Sequence, residues 1–136
     1  MPTLHSAFLL FFRDTAPETY KVMSAEQHQQ LLVRWNEWYE SLAAAGKLRY
    51  GHPLEPDGRV VGRRGERVTD GPFAESKEAI GGYFFLNVAN LREATEIARG
   101  CPSLKYGMTV EVRAVADCCH LGLVGTEQSK TLADVA

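Results

Sequence analysis

His5-Ser6-Ala7-Phe8-Leu9-Leu10-Phe11-Phe12 is the stretch on which the fold turns. Read as a strand, it sends Phe8, Leu10 and Phe12 to one face and Ala7, Leu9 and Phe11 to the other. Both faces are apolar, so the strand must be covered on both sides. Residues 83–88 repeat the pattern, with Phe84, Leu86 and Val88 on one face and Tyr83 and Phe85 on the other. Residues 108–115 differ. Met108, Val110, Val112 and Ala114 face inward, Thr109, Glu111 and Arg113 alternate outward, and Val115 is the exception. These features place residues 5–12 and 83–88 centrally in a sheet and residues 108–115 at its edge.

Two helices separate the strands. Over residues 24–45, Leu31, Leu32, Trp35, Trp38, Tyr39 and Leu42 recur at helical spacing as one apolar stripe. Ser24 with Gln27 forms a capping-box pattern, and Gly46 stands where the chain must leave the helix with positive φ. Over residues 90–99, Asn90 with Glu93 repeats the cap pattern, and Gly100 with Pro102 ends the helix. Residues 48–54 read as another strand. Residues 59–62 and 66–69 read as a hairpin around Arg63-Arg64-Gly65, whose basic cluster with Arg67 and Glu66 suits a solvated tip. Residues 70–82 read as a loop with one or two helical turns, stopped by Gly81-Gly82. The order β-α-β, hairpin, β-α-β is the signature of a ferredoxin-like split βαβ, an α+β fold with a four-stranded antiparallel sheet and a β-hairpin insertion. Two helices cover one face only. The other face, carrying Ala7, Leu9, Phe11, Tyr83 and Phe85 or their alternates, needs a cover. A homodimer packed through this sheet face is expected, with the C-terminal tail folding across it as the rival. Residues 1–116 form the domain, and 117–136 a tail, loosely ordered or packed on the dimer.

At 136 residues the chain is one domain's length, enough to bury about two-thirds of its unfolded surface. Net charge is -2 and the isoelectric point about 6.1, which gives no electrostatic case for direct nucleic-acid contact or an anionic membrane. Mean hydropathy is -0.21, and no apolar run approaches the roughly 18 residues of a membrane span. Residues 7–12 lack a basic leader and a cleavage site, so no signal peptide is read and a cytoplasmic location is expected. Three cysteines suit a reducing compartment. Cys118-Cys119-His120 lacks spaced partners and Cys101 stands alone, so no metal is expected. No phosphate-binding, dinucleotide or nucleophile-elbow glycine pattern occurs, and no cofactor is expected.

Asp70-Gly71-Pro72-Phe73, with Ala74-Glu75-Ser76-Lys77-Glu78 and Gly81-Gly82-Tyr83, resembles the DGPF branch of the YCII-related family. Gly46-Lys47-Leu48, His52-Pro53-Leu54-Glu55-Pro56, Arg99-Gly100-Cys101-Pro102 and Val110-Glu111-Val112-Arg113 extend the resemblance over residues 7–116. It implies a dimeric α+β barrel. It also implies a mostly uncharacterised protein, some relatives of which occur beside extracytoplasmic-function sigma factors. In YCII proteins proper a His and an Asp line a pocket. Asp14 is the candidate for that aspartate, but Trp35 stands about where the histidine falls, and His28 lies nearly two turns earlier.

The DGPF loop is the candidate site, because it gathers charged side chains between glycines. Asp70 is the candidate general base and His52 the second catalytic candidate. Lys77 is placed to pair a substrate carboxylate. Glu75, Glu78, Tyr83 and Asp14 complete the ligand-binding candidates. The alternative for the loop is structural, with Asp70 capping a helical turn and Lys77 pairing with a neighbouring Glu. Two functions stand open: an unknown small molecule bound in a pocket near this loop with acid–base chemistry, or a non-catalytic regulatory protein associated with a sigma factor.

Overall fold

The apolar segment that opens the chain forms β1 (Ala7–Arg13). A computed structural model describes residues 6–14, 17–71 and 79–116. After β1 come α1 (Pro17–Lys21), α2 (Ala25–Ala44), β2 (Leu48–Pro53), β3 (Gly58–Gly62), β4 (Arg67–Gly71), β5 (Ile80–Asn87), α3 (Leu91–Ala98) and β6 (Thr109–Ala114). The architecture is mixed α+β. One four-stranded antiparallel sheet has the order β2-β5-β1-β6, and β3 with β4 forms a separate hairpin sheet. The two strands with two apolar faces are therefore central, and half-polar β6 is an edge.

Register decides the core. Leu10 lies opposite Phe84 and Val112, and Phe12 opposite Gly82 and Val110, all on the helix-covered face. Phe8, Leu10, Phe12, Phe84 and Leu86 pack there with Leu42 of α2 and Ala94 and Ala98 of α3. Leu10 and Leu86 are fully enclosed, each burial worth about 1.5–3 kcal/mol. On the opposite face Leu9, Phe11, Tyr83 and Phe85 are half-buried within the single chain rather than bare. Tyr50 stacks on Phe85 with ring centroids 5.1 Å apart, and the Arg13 guanidinium reaches Glu111 at 2.7 Å. Long side chains of that face thus shield part of its own apolar surface.

Local signals acted as expected at most helix ends. Ser24 Oγ accepts from the Gln27 N–H at 3.1 Å, and the Gln27 side chain accepts from the Ser24 N–H at 2.9 Å. Asn90 accepts from the Glu93 N–H, but Glu93 reaches one residue further back, to the Ala89 N–H. Gly46 takes φ +76° at the exit of α2. Two expectations need correction. The expected elements include no helix at α1, and Gly81-Gly82 lie inside β5 instead of stopping a helical turn. A Cβ on Gly82 would sit 3.1 Å from the His52 carbonyl oxygen and 3.3 Å from Pro53 Cα, so glycine here permits close strand approach. Residues 72–78, the tail from 117, and with it Cys118, Cys119 and His120, lie outside the described residues. Among the described residues no helix is long and apolar enough to cross a membrane.

Candidate functional site

The apolar stripe of α2 packs unevenly onto the sheet, through Trp35, Trp38 and Leu42. Leu42 is buried and Trp38 packs against the core, whereas Leu32 remains 53% exposed. Between the middle of α2, from Leu31 to Tyr39, Tyr20 of α1 and the ends of β1, β2 and β5 lies a cleft of about 470 Å³. That volume falls in the range of small-molecule sites. Gly51 and Gly82 are among its lining residues. A Cβ on Gly51 would overlap Phe84 Cδ1 and lie 2.9 Å from the Tyr83 carbonyl oxygen, so β2 and β5 meet closely where they border the cleft.

Aromatic rings make the wall rigid. Phe12 meets Trp35 edge-on at 5.1 Å and Phe84 at 4.9 Å. The Trp35 indole N–H donates to Ser103 Oγ at 2.9 Å, and Ser103 is only 2% exposed, so a buried hydroxyl fixes the indole. Strand alternation then sets the polar content. Phe12 points to the helix side, Arg13 to the opposite side where Glu111 holds it, and Asp14 returns to the cleft.

Two polar atoms on the cleft residues stand out. Asp14 Oδ1 and the Tyr20 hydroxyl are both buried with no hydrogen-bond partner. Such atoms are costly in an apolar setting unless something answers them. Burial pushes the Tyr20 phenol above its ordinary 10.0, and the nearby Asp14 carboxylate pushes the same way. Ser103 opposes the shift, but its Oγ already accepts from Trp35 and the Tyr20 hydroxyl is outside hydrogen-bonding geometry. Tyr20 is therefore a protonated group at neutral pH, able to donate, and Asp14 an acceptor. Both atoms can take up a hydrogen bond with a molecule in the cleft. His28 serves this corner indirectly: its Nε2 lies 2.6 Å from the Tyr20 carbonyl oxygen and ties α1 to α2.

The expected residues are dispersed. Asp14 lines the cleft. His52 borders it, but its Nδ1 meets the Tyr83 hydroxyl at 2.9 Å, and Tyr83 projects from the sheet face opposite Phe84. His52 and Tyr83 thus come together, away from Asp14. Asp70 lies in β4 with a carboxylate 92% exposed and 3.2 Å from Arg59, and it does not line the cleft. Glu75, Lys77 and Glu78 fall outside the described residues. Tyr20, Asn36 and Ser103 line the cleft without having been singled out in the sequence. Pro17 at a first helical position and Lys21 in a last turn were the available signals for α1, and Ser103 had none.

A wider depression of about 670 Å³ between α2 and the end of α3 is lined by exposed charged side chains such as Arg34, Glu37 and Arg99. It holds neither of the two orphaned polar atoms, and the candidate site is therefore the narrower cleft. Among the described residues no group of three or more His, Cys, Asp or Glu is gathered as metal ligands would be.

No curated protein matches the chain. The family model of the YCII-related domain matches residues 7–118, most of the molecule, and the chain belongs to that family.

Proposed function

We propose that this protein, as a cytoplasmic member of the DGPF branch with a ferredoxin-like strand arrangement, binds a small molecule in the cleft between α2 and the sheet and performs acid–base chemistry on it. One observation carries the proposal: Asp14 Oδ1 and the Tyr20 hydroxyl are buried, lack partners, and belong to residues of the same aromatic-walled cleft. A ligand would complete both. In this view Asp14 takes the role that the sequence assigned to Asp70, and His52 is a structural partner of Tyr83. The active unit is a homodimer joined through the sheet face that carries Phe11, Tyr83 and Phe85. A 15.1 kDa monomer in sedimentation equilibrium would remove that part of the proposal.

Screening small aromatic compounds by thermal shift tests the site. Leu32→Trp should block the mouth of the cleft, and Asp14→Ala should remove its acceptor. Hits that raise the melting temperature of the unaltered protein should fail on both variants. Hits that bind all three proteins equally would refute the cleft as the site. The competing proposal is a regulatory protein beside an extracytoplasmic-function sigma factor, and it gains if no compound binds and such a factor co-purifies.

A further inference from the structure

Among its described residues the cleft is one-sided in charge. Among the described residues that line it, Asp14 is the sole carboxylate and no lysine or arginine is present. The neighbouring cation in sequence, Arg13, is directed to the other face of the sheet, where its Nη2 lies 2.7 Å from Glu111. The imidazole of His52 is likewise on that other face, at the Tyr83 hydroxyl. The remaining polar lining is neutral: the hydroxyls of Tyr20, Tyr39 and Ser103 and the carboxamide of Asn36. Around these stand the π faces and edges of Phe12, Trp35 and Phe84.

From this geometry we infer that the cleft selects a protonated amine carried on an apolar body about the size of one aromatic ring. The inference rests on the cleft's being the ligand site proposed above and adds the charge and shape of the ligand. An ammonium supplies donors to the unpartnered Asp14 Oδ1, a charge-assisted hydrogen bond in a setting poor in water. The same cation is attracted by the faces of Trp35 and Tyr39, while the rest of the ligand replaces water against Phe12, Phe84 and Leu31. Among the described lining residues, a carboxylate or phosphate would meet Asp14 with no lysine or arginine to answer it. A neutral hydroxyl can satisfy Asp14 but without the charge.

Three compounds that share one body separate these cases: 2-phenylethylamine, 2-phenylethanol and phenylacetate. Binding to the full chain at pH 7 is read by tryptophan fluorescence, since Trp35 lines the cleft, and by saturation-transfer NMR. The amine should bind at least about tenfold tighter than the alcohol, the scale of one charge-assisted hydrogen bond, and the carboxylate should bind weakest. Asp14→Asn should erase the amine's lead and leave the alcohol's affinity within about twofold, a neutral hydrogen bond being retained. If the alcohol binds and the amine has no advantage, or phenylacetate binds best, the charge inference is wrong while the cleft stands as a site. If none of the three binds at millimolar concentration, both fall. The comparison of head groups on the unaltered protein decides the matter even if the Asp14 variant does not fold.

Discussion

Gly51 offers the sharpest test of how the cleft is built. It lies in β2 opposite Phe84, and its φ is outside the left-handed region, so its backbone would accept alanine. On conformational grounds Gly51→Ala should stabilise by about 0.4–1 kcal/mol, because the unfolded chain loses freedom. Packing predicts the reverse. The added methyl would overlap Phe84 Cδ1 and press on the Tyr83 carbonyl oxygen at 2.9 Å. Neither neighbour can yield cheaply. The carbonyl belongs to a central strand, and the Phe84 ring is enclosed by Phe12 at 4.9 Å, Trp38 at 5.0 Å and Tyr39 at 5.7 Å. Overpacking of this kind costs about 1–3 kcal/mol, which exceeds the entropic gain. The net loss should be about 1–2 kcal/mol, or roughly 3–8 °C in melting temperature for a domain of this size. Gly62→Ala is the control, since a Cβ there meets nothing within 4 Å and its φ is -143°. That variant should be neutral or gain up to about 1 kcal/mol. Thermal and urea denaturation by circular dichroism, at one fixed protein concentration, measure both. A Gly51→Ala protein as stable as the Gly62→Ala protein would refute the close contact between β2 and β5 on which the cleft depends.

The remaining predictions concern ionisation. Hydrogen bonds first from Arg13 and then from Arg113 hold the Glu111 carboxyl below its ordinary 4.5. A depressed folded value means that its stabilisation is complete above about pH 4.5 and is lost as pH falls through the lower folded value. The melting-temperature gap between the unaltered protein and Glu111→Gln should therefore be widest near neutrality and close on acidification; a gap that grows in acid contradicts the assignment. Burial pushes the Cys101 thiol up to about 11. At pH 8 iodoacetamide should leave Cys101 unmodified in the native protein and alkylate it in urea, as read by peptide mass spectrometry. Rapid alkylation of the native protein would show that the α3 end is not packed as described.

Much of the fold was legible because it depends on short-range periodicity. The two-faced apolar pattern of β1 and β5 forced them to the centre of the sheet, and Ser24, Asn90 and Gly46 marked helix ends by local hydrogen bonding and φ. The site was less legible, because it depends on where a pattern is left unused. Leu31, Leu32 and Tyr39 look like core residues in the sequence, and nothing local says that they line a cleft instead. Tyr20 and Ser103 matter through contacts across the chain, Ser103 with Trp35 being separated by 68 positions. Asp70 and His52 drew notice as polar residues among glycines and prolines. Their partners, Arg59 and the Tyr83 hydroxyl, are tertiary and give each a local structural contact.

The passage from Phe12 through Arg13 to Asp14 has a consequence for how this protein can change over evolutionary time. Successive side chains there alternate between the two sides of the sheet, so the sign of charge facing the cleft is a matter of odd and even position. The strand already tolerates an irregularity between Phe12 and Arg13 in its pairing with β5. One residue inserted at that point would bring a guanidinium to the cleft and send the carboxylate to the far side. A single codon gained there would thus reverse the sign of the charge that this strand presents to the cleft.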